Sequence, residues 1–343
     1  MNWPRIAADT GLGVHTAFIA FVLVGLILFV LLAGLVYQFV ATRLAYREYP
    51  APGQTVAVSG HGMRLYCAGK ARGGPTVVRD SGIGGGLLDW RTVQPDAAKF
   101  ARVCSYDRSG LGWSESGPKP RTSPQIVEEL HALLENAGVG GPYVLVGHSF
   151  GGANVQLYAA EYPKEVAGMV LVDSALDSRV LDKDLRDAAE GATPSPMTLK
   201  AMAPLGIVRL LSGGSGEGGP PEGFGEERNA IYNSTRHIYA FAEESATINK
   251  SVAKATDAAP SLGEKPLIVL SAGARQYPGF TKGQAKRFNE RANRFEAGLP
   301  ELSQNSKLVV AKDSAHYIQF DRPELVVDAI RRVVGAARDG GPV

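Results

Sequence analysis

The run Pro142-Tyr143-Val144-Leu145-Val146-Gly147-His148-Ser149-Phe150-Gly151-Gly152 constrains this chain most, because an apolar stretch passes directly into a Gly-x-Ser-x-Gly pentapeptide. The apolar half reads as a strand and Ala153-Asn154-Val155-Gln156-Leu157-Tyr158-Ala159-Ala160 as a helix, which leaves Ser149 on the sharp turn between them. Gly147 and Gly151 keep Cβ atoms out of such a bend, and a strained turn of this kind projects its serine hydroxyl from the top of a sheet. A serine hydroxyl is a weak nucleophile near neutral pH. The chemistry therefore needs a base to take its proton and an acid to orient that base.

Six histidines are available for the base. His15 precedes an apolar run, His61 falls in a hairpin turn, His131 on a helical pattern and His237 in a helical insertion. His148 adjoins the serine at a bend where neighbouring side chains diverge, which assigns it to packing. His316 remains. It follows the apolar strand Lys307-Leu308-Val309-Val310-Ala311 and precedes a helix-like segment from Leu325 to Val334. A loop histidine between the last strand and the last helix suits a general base.

These segments, together with Asp107-Arg108-Ser109-Gly110-Leu111-Gly112-Trp113-Ser114, an Asp-Arg-x-Gly-x-Gly-x-Ser loop, resemble the α/β-hydrolase superfamily over about residues 56 to 338. The resemblance implies a mostly parallel sheet flanked by helices, with an inserted helical cap. It implies an oxyanion hole at Ser81-Gly82-Ile83-Gly84-Gly85-Gly86, after strand Thr76-Val77-Val78, with the Ile83 and Phe150 amides as donors. Many relatives carry the acid after the strand that here reads Leu267-Ile268-Val269-Leu270, but the continuation Ser271-Ala272-Gly273-Ala274-Arg275-Gln276 has no carboxylate. Another family arrangement puts it one strand earlier, where Gly168-Met169-Val170-Leu171-Val172 ends in Asp173. Asp177 competes with it, Asp313 lies too near His316 in sequence, and a Ser/His dyad with water stays open. Family analogy also puts Cys67 and Cys104 on neighbouring strands, as two buried thiols; a bridge would require an oxidising compartment.

Residues 16–42 carry no charge and are nearly all apolar from Ala17 to Tyr37, enough to span a bilayer, which takes about 20 residues. The apolar region of a cleavable signal is usually shorter, about 7 to 15 residues, so an uncleaved single anchor is expected. A bacterial inner membrane or a plasma membrane is the expected location. Arg43 and Arg47 outnumber Arg5, with the α-amine offsetting the difference, so charge leans weakly to a cytoplasmic catalytic domain. The expected organisation is a tail over 1–15, a transmembrane helix over 16–42, a linker over 43–55, core over 56–176, cap over 177–260, core over 261–338 and a tail over 339–343. Alternating strands and helices support the layered sheet, with a helix near Ile126 to Asn136 capped by Ser123. In the cap, the glycine-rich stretch 212–223 reads as mobile, and a helical stretch from Glu226 to Thr256 carries aromatics that mostly pack it onto the core. Trp90 and Trp113 are candidate pocket borders.

The chain has 343 residues, 45% hydrophobic and 20% charged, sufficient for one large core plus an insertion. A formal charge of +2 and the lack of a basic, aromatic-interleaved patch argue against nucleic acid. No metal-ligand motif is visible, and no cofactor is expected. The expected activity is hydrolysis of an ester or related acyl bond by Ser149, His316 and Asp173, on a lipophilic small molecule. The alternative is a non-catalytic ligand receptor or an accessory subunit of a membrane assembly. No protein partner can be named from the sequence.

Overall fold

Eight strands form one sheet: β1 (Gln54–Val58), β2 (His61–Ala68), β3 (Thr76–Asp80), β4 (Val103–Asp107), β5 (Tyr143–His148), β6 (Val166–Val172), β7 (Leu267–Ala272) and β8 (Ser306–Ala311). The computed structural model describes residues 10–212, 224–277 and 279–343. Strand order is β1-β2-β4-β3-β5-β6-β7-β8; the β1–β2 and β2–β4 pairs are antiparallel and all others parallel. β3, β4, β5 and β7 are buried at every position, as strands with both faces covered must be. Helices α3 (Ser123–Asn136) and α4 (Phe150–Glu161) cover one face, where Ile126, Leu130, Leu133, Val155 and Leu157 pack on Leu145 and Met169. The short α2 (Gln94–Ala97) and the long α12 (Pro323–Asp339) cover the other, where Val326, Ile330 and Val333 meet Val144 and Val170. α10 (Lys282–Gly298) and the single turn α11 (Ile318–Asp321) complete the core.

The cap lies between β6 and β7: α5 (Lys183–Gly191), α6 (Pro196–Met202), α7 (Ile207–Leu211), α8 (Gly225–Tyr232) and α9 (Thr235–Ala258). Most of the glycine-rich stretch expected to be mobile lies outside the described residues. α1 (Thr10–Glu48) is one unbroken helix, extending through the first positions of the expected linker. It is the one helix among the described residues long and apolar enough to cross a membrane.

Three local readings change. Ser123 is the first residue of α3 rather than its cap, and its hydroxyl donates to Asn154 Oδ1 at 2.6 Å. Trp90, expected at a pocket border, is fully buried in the sheet core, beneath the Arg79 guanidinium. Cys67 and Cys104 are bonded as a disulfide rather than free thiols, because the antiparallel register of β2 and β4 sets them directly opposite each other.

Candidate active site

Ser149 joins β5 to α4 with φ 51° and ψ −118°, a conformation an L-residue adopts only under strain. Its N–H donates to Val172 O at 3.1 Å, and its carbonyl accepts from Gly152 N at 2.9 Å and Ala175 N at 3.0 Å, which ties the turn to the end of β6. A methyl at Gly147 would strike Gly151 O at 2.5 Å, and one at Gly151 would enter the Asp80 carbonyl. The two glycines thus make room for the bend.

Asp173, just past β6, also holds a positive φ of 43° and is buried. Its Oδ2 lies 2.6 Å from His316 Nδ1. Oδ1 accepts from Ala272 N at 2.8 Å and from Arg275 Nε at 3.0 Å. Burial alone would raise its pKa, but the His316 hydrogen bond and charge, then those of Arg275, hold the carboxyl well below the usual range. Asp177 instead accepts from Arg179 N at 2.9 Å and pairs with that arginine, while the Asp313 side chain is 88% exposed. The fold therefore brings Asp173 to His316, and neither competitor.

Sequence reasoning missed two residues behind this pair. Arg275, at the position where many relatives carry the acid, also pairs with Glu296 of α10, to which Ser271 Oγ donates. Burial pushes the Glu296 carboxyl up to about 8, helped by the Asp173 charge and opposed by Arg275. His148 does more than pack: its Nε2–H donates to the His316 carbonyl at 3.0 Å. Burial, then the neighbouring His316 charge, pushes its imidazole down to about 3, so it is neutral and carries its proton on Nε2.

The loop with Ile83 lies against Ser149: a methyl at Gly82 would sit 3.3 Å from Ser149 Cβ. Phe150 opens α4, where first-turn amides lack partners within the helix. Fully buried Arg108 donates to Ser81 O at 2.7 Å and Gly82 O at 2.6 Å, and pairs with Asp80 at 2.5 Å and with Glu244 of α9 at 2.8 Å. Burial would depress that guanidinium; Glu244 and Asp80 instead raise its pKa well above the ordinary value. Glu244 also accepts from Gly84 N at 2.9 Å. His237 of α9 donates from Nε2 to Gly84 O at 2.8 Å and accepts Gly112 N–H on Nδ1 at 2.9 Å; burial pushes it down to about 3, which fits that neutral tautomer. Asp107, pushed up to about 7 by burial, accepts from the Leu87 and Trp113 amides. Trp113 itself packs with Leu87, Leu88 and Ile231 and donates to Tyr49 O at 3.2 Å.

The family description "alpha/beta hydrolase fold" matches residues 75–193. Over 268 residues the chain is 28% identical to the uncharacterized protein YqjL of Bacillus subtilis (strain 168), covering 78% of this chain and 87% of that one. It is 24% identical over 289 residues to an AB hydrolase superfamily protein of Gibberella zeae, covering 77% and 87%. A thermophilic esterase from Thermogutta terrifontis superposes with a TM-score of 0.60 at 19% identity, over 83% of this chain and 98% of that one. The enol-lactonase of Burkholderia xenovorans LB400 superposes with a TM-score of 0.57 at 18% identity, over 82% and 99%; at such identities the likeness concerns the fold alone. With the sheet order, the helical insertion between β6 and β7, and the strained serine turn at the end of β5, these matches show that the chain has the alpha/beta hydrolase fold.

Proposed function

We propose that this protein is a membrane-anchored serine hydrolase acting on an ester or related acyl bond. Ser149 Oγ attacks the acyl carbonyl while His316 Nε2 takes the hydroxyl proton. Asp173 orients the imidazole through Nδ1 and balances its charge. The Ile83 and Phe150 amides receive the oxyanion. Collapse expels the alcohol, protonated by His316, and leaves an acyl-serine; water, deprotonated by the same histidine, then releases the acid. α1 serves as the anchor, and the substrate is a lipophilic acyl compound.

The observation that carries this reading is the 2.6 Å contact of His316 Nδ1 with the buried Asp173 carboxylate, at a strand end adjoining the strained Ser149 turn. That contact leaves Nε2 as the nitrogen available to the serine. Asp173 also gives His316 a carboxylate partner where the position after β7 has none, which supports a triad. Turnover of aryl esters of graded chain length by the detergent-solubilised full chain tests it. Ser149→Ala should abolish turnover, and Asp173→Asn should lower kcat by about four orders of magnitude, the cost of misorienting a triad imidazole. Asp177→Asn should lie within a few-fold of wild type. Unchanged activity in Asp173→Asn would remove that residue from the mechanism.

A further inference from the structure

α1 continues well past the length that a bilayer requires. Residues 16–42 carry no charge, which at 1.5 Å per residue is about 40 Å of helix against roughly 30 Å of hydrocarbon. If α1 spans the bilayer, its last uncharged turns stand at the boundary between acyl chains and headgroups, where Tyr37 and Arg43 are the residue types that favour it. At this level the cap is seated on the helix. A methyl at Gly34 would lie 2.8 Å from Leu205 O, so the two backbones meet closely. Gln38, 2% exposed, donates to Asn233 O at 2.7 Å and accepts from Arg209 Nε of α7 at 3.1 Å. Arg209 also reaches Thr42 Oγ1 at 3.4 Å.

The apolar surface does not stop at that contact. On α1, Val36, Phe39, Val40 and Leu44 remain 54%, 61%, 46% and 54% exposed alongside the cap. On α7, directly after Arg209, Leu210 and Leu211 are 65% and 74% exposed. A leucine pair left open to water forgoes the favourable burial of its apolar side chains. Seated in the lipid boundary, the same pair is solvated.

We infer that the α7 face of the cap, Leu210 and Leu211, rests in the acyl–headgroup boundary of the bilayer that α1 crosses, so that the cap is itself a phospholipid-binding surface. This rests on the anchor reading of α1. The cap is then held in place twice, by its packing on α1 and by insertion of α7. Because α9 of the same cap holds the loop bearing Ile83, the site lies beneath an element fixed at the membrane surface, where acyl compounds dissolved in lipid are concentrated.

The test attaches the environment-sensitive fluorophore NBD to single introduced cysteines, Leu210→Cys, Phe29→Cys and Asp313→Cys, in the full chain, with the parent protein as labelling blank. Each sample is reconstituted into phosphatidylcholine vesicles with or without acyl-brominated phosphatidylcholine. All three positions are exposed on the protein, so the fold is not at stake. NBD at 210 should be quenched about twofold by the bromolipid, as expected for burial 5–10 Å into the boundary, with NBD at 29 quenched and at 313 unaffected. Quenching at 29 but not at 210 would overturn the inference and leave the anchor standing. No quenching at 29 would overturn the anchor and this inference together.

Discussion

Arg275 divides one guanidinium between two buried carboxyl groups, Asp173 and Glu296, and their proton affinities shift in opposite senses. Asp173, held low, contributes stability above the ordinary carboxylate range that is lost as pH falls. Glu296 retains its proton to about 8, whereas an unfolded glutamate releases it near 4.5. Between those values the folded chain binds a proton that the unfolded chain has lost, so stability falls as pH rises through the window. Glu296→Gln should flatten that decline in denaturant unfolding of the full chain; an unchanged slope would place the extra proton elsewhere. Neither partner was legible in the sequence. Ser149 stands in a pentapeptide whose strand and helix are visible on either side, and His316 falls after the last strand. Arg275 read only as an absent carboxylate, and Glu296 belongs to a helix in which just Ala292 and Glu296 are buried among exposed polar residues. Ion pairs between elements distant in sequence leave no periodic trace.

At the scale of elements, the cap helix α9 is tied into the loop over residues 81–86, the proposed oxyanion loop. α9 supplies Glu244 to Arg108 and Gly84, and His237 to Gly84 and Gly112, so the loop and the cap share one set of buried polar contacts. Removing one partner of a fully buried ion pair costs about 3–5 kcal/mol, whereas an exposed pair contributes about 0–1 kcal/mol. Adjacent Glu243, paired with the half-exposed Lys200, provides an internal control. Glu244→Gln should therefore lose about 3 kcal/mol in unfolding, along with most turnover, and Glu243→Gln less than about 1 kcal/mol. Equal losses would mean that the buried cluster holds nothing in particular. The seat of α1 on this cap was hidden for a related reason. An all-apolar helix has no polar face to contrast with a buried one, so periodicity could not show which side docks. Gln38, the one amide side chain within the uncharged run, was the available signal.

For the whole molecule, two features bear on the side of the membrane that the proposed anchor would give the hydrolase-fold domain. The charge difference across α1 is small, Arg43 and Arg47 against Arg5. The Cys67–Cys104 bond weighs more, since cytosolic thiols are kept reduced; with the proposed anchor it predicts a domain on the non-cytoplasmic side. N-ethylmaleimide added to the denatured, unreduced protein should modify neither cysteine, and after reduction both; two modified thiols before reduction would return the domain to the cytoplasm. On the proposed reading, orientation decides which leaflet would supply substrate, while the proposed chemistry rests on the serine. The most direct test is to label the detergent-solubilised full chain with a fluorophosphonate and map the adduct by mass spectrometry. An activated Ser149 predicts one adduct on that residue, absent from Ser149→Ala and suppressed in His316→Ala. No adduct on Ser149 in demonstrably folded protein, or labelling that survives Ser149→Ala, would contradict the proposed hydrolase.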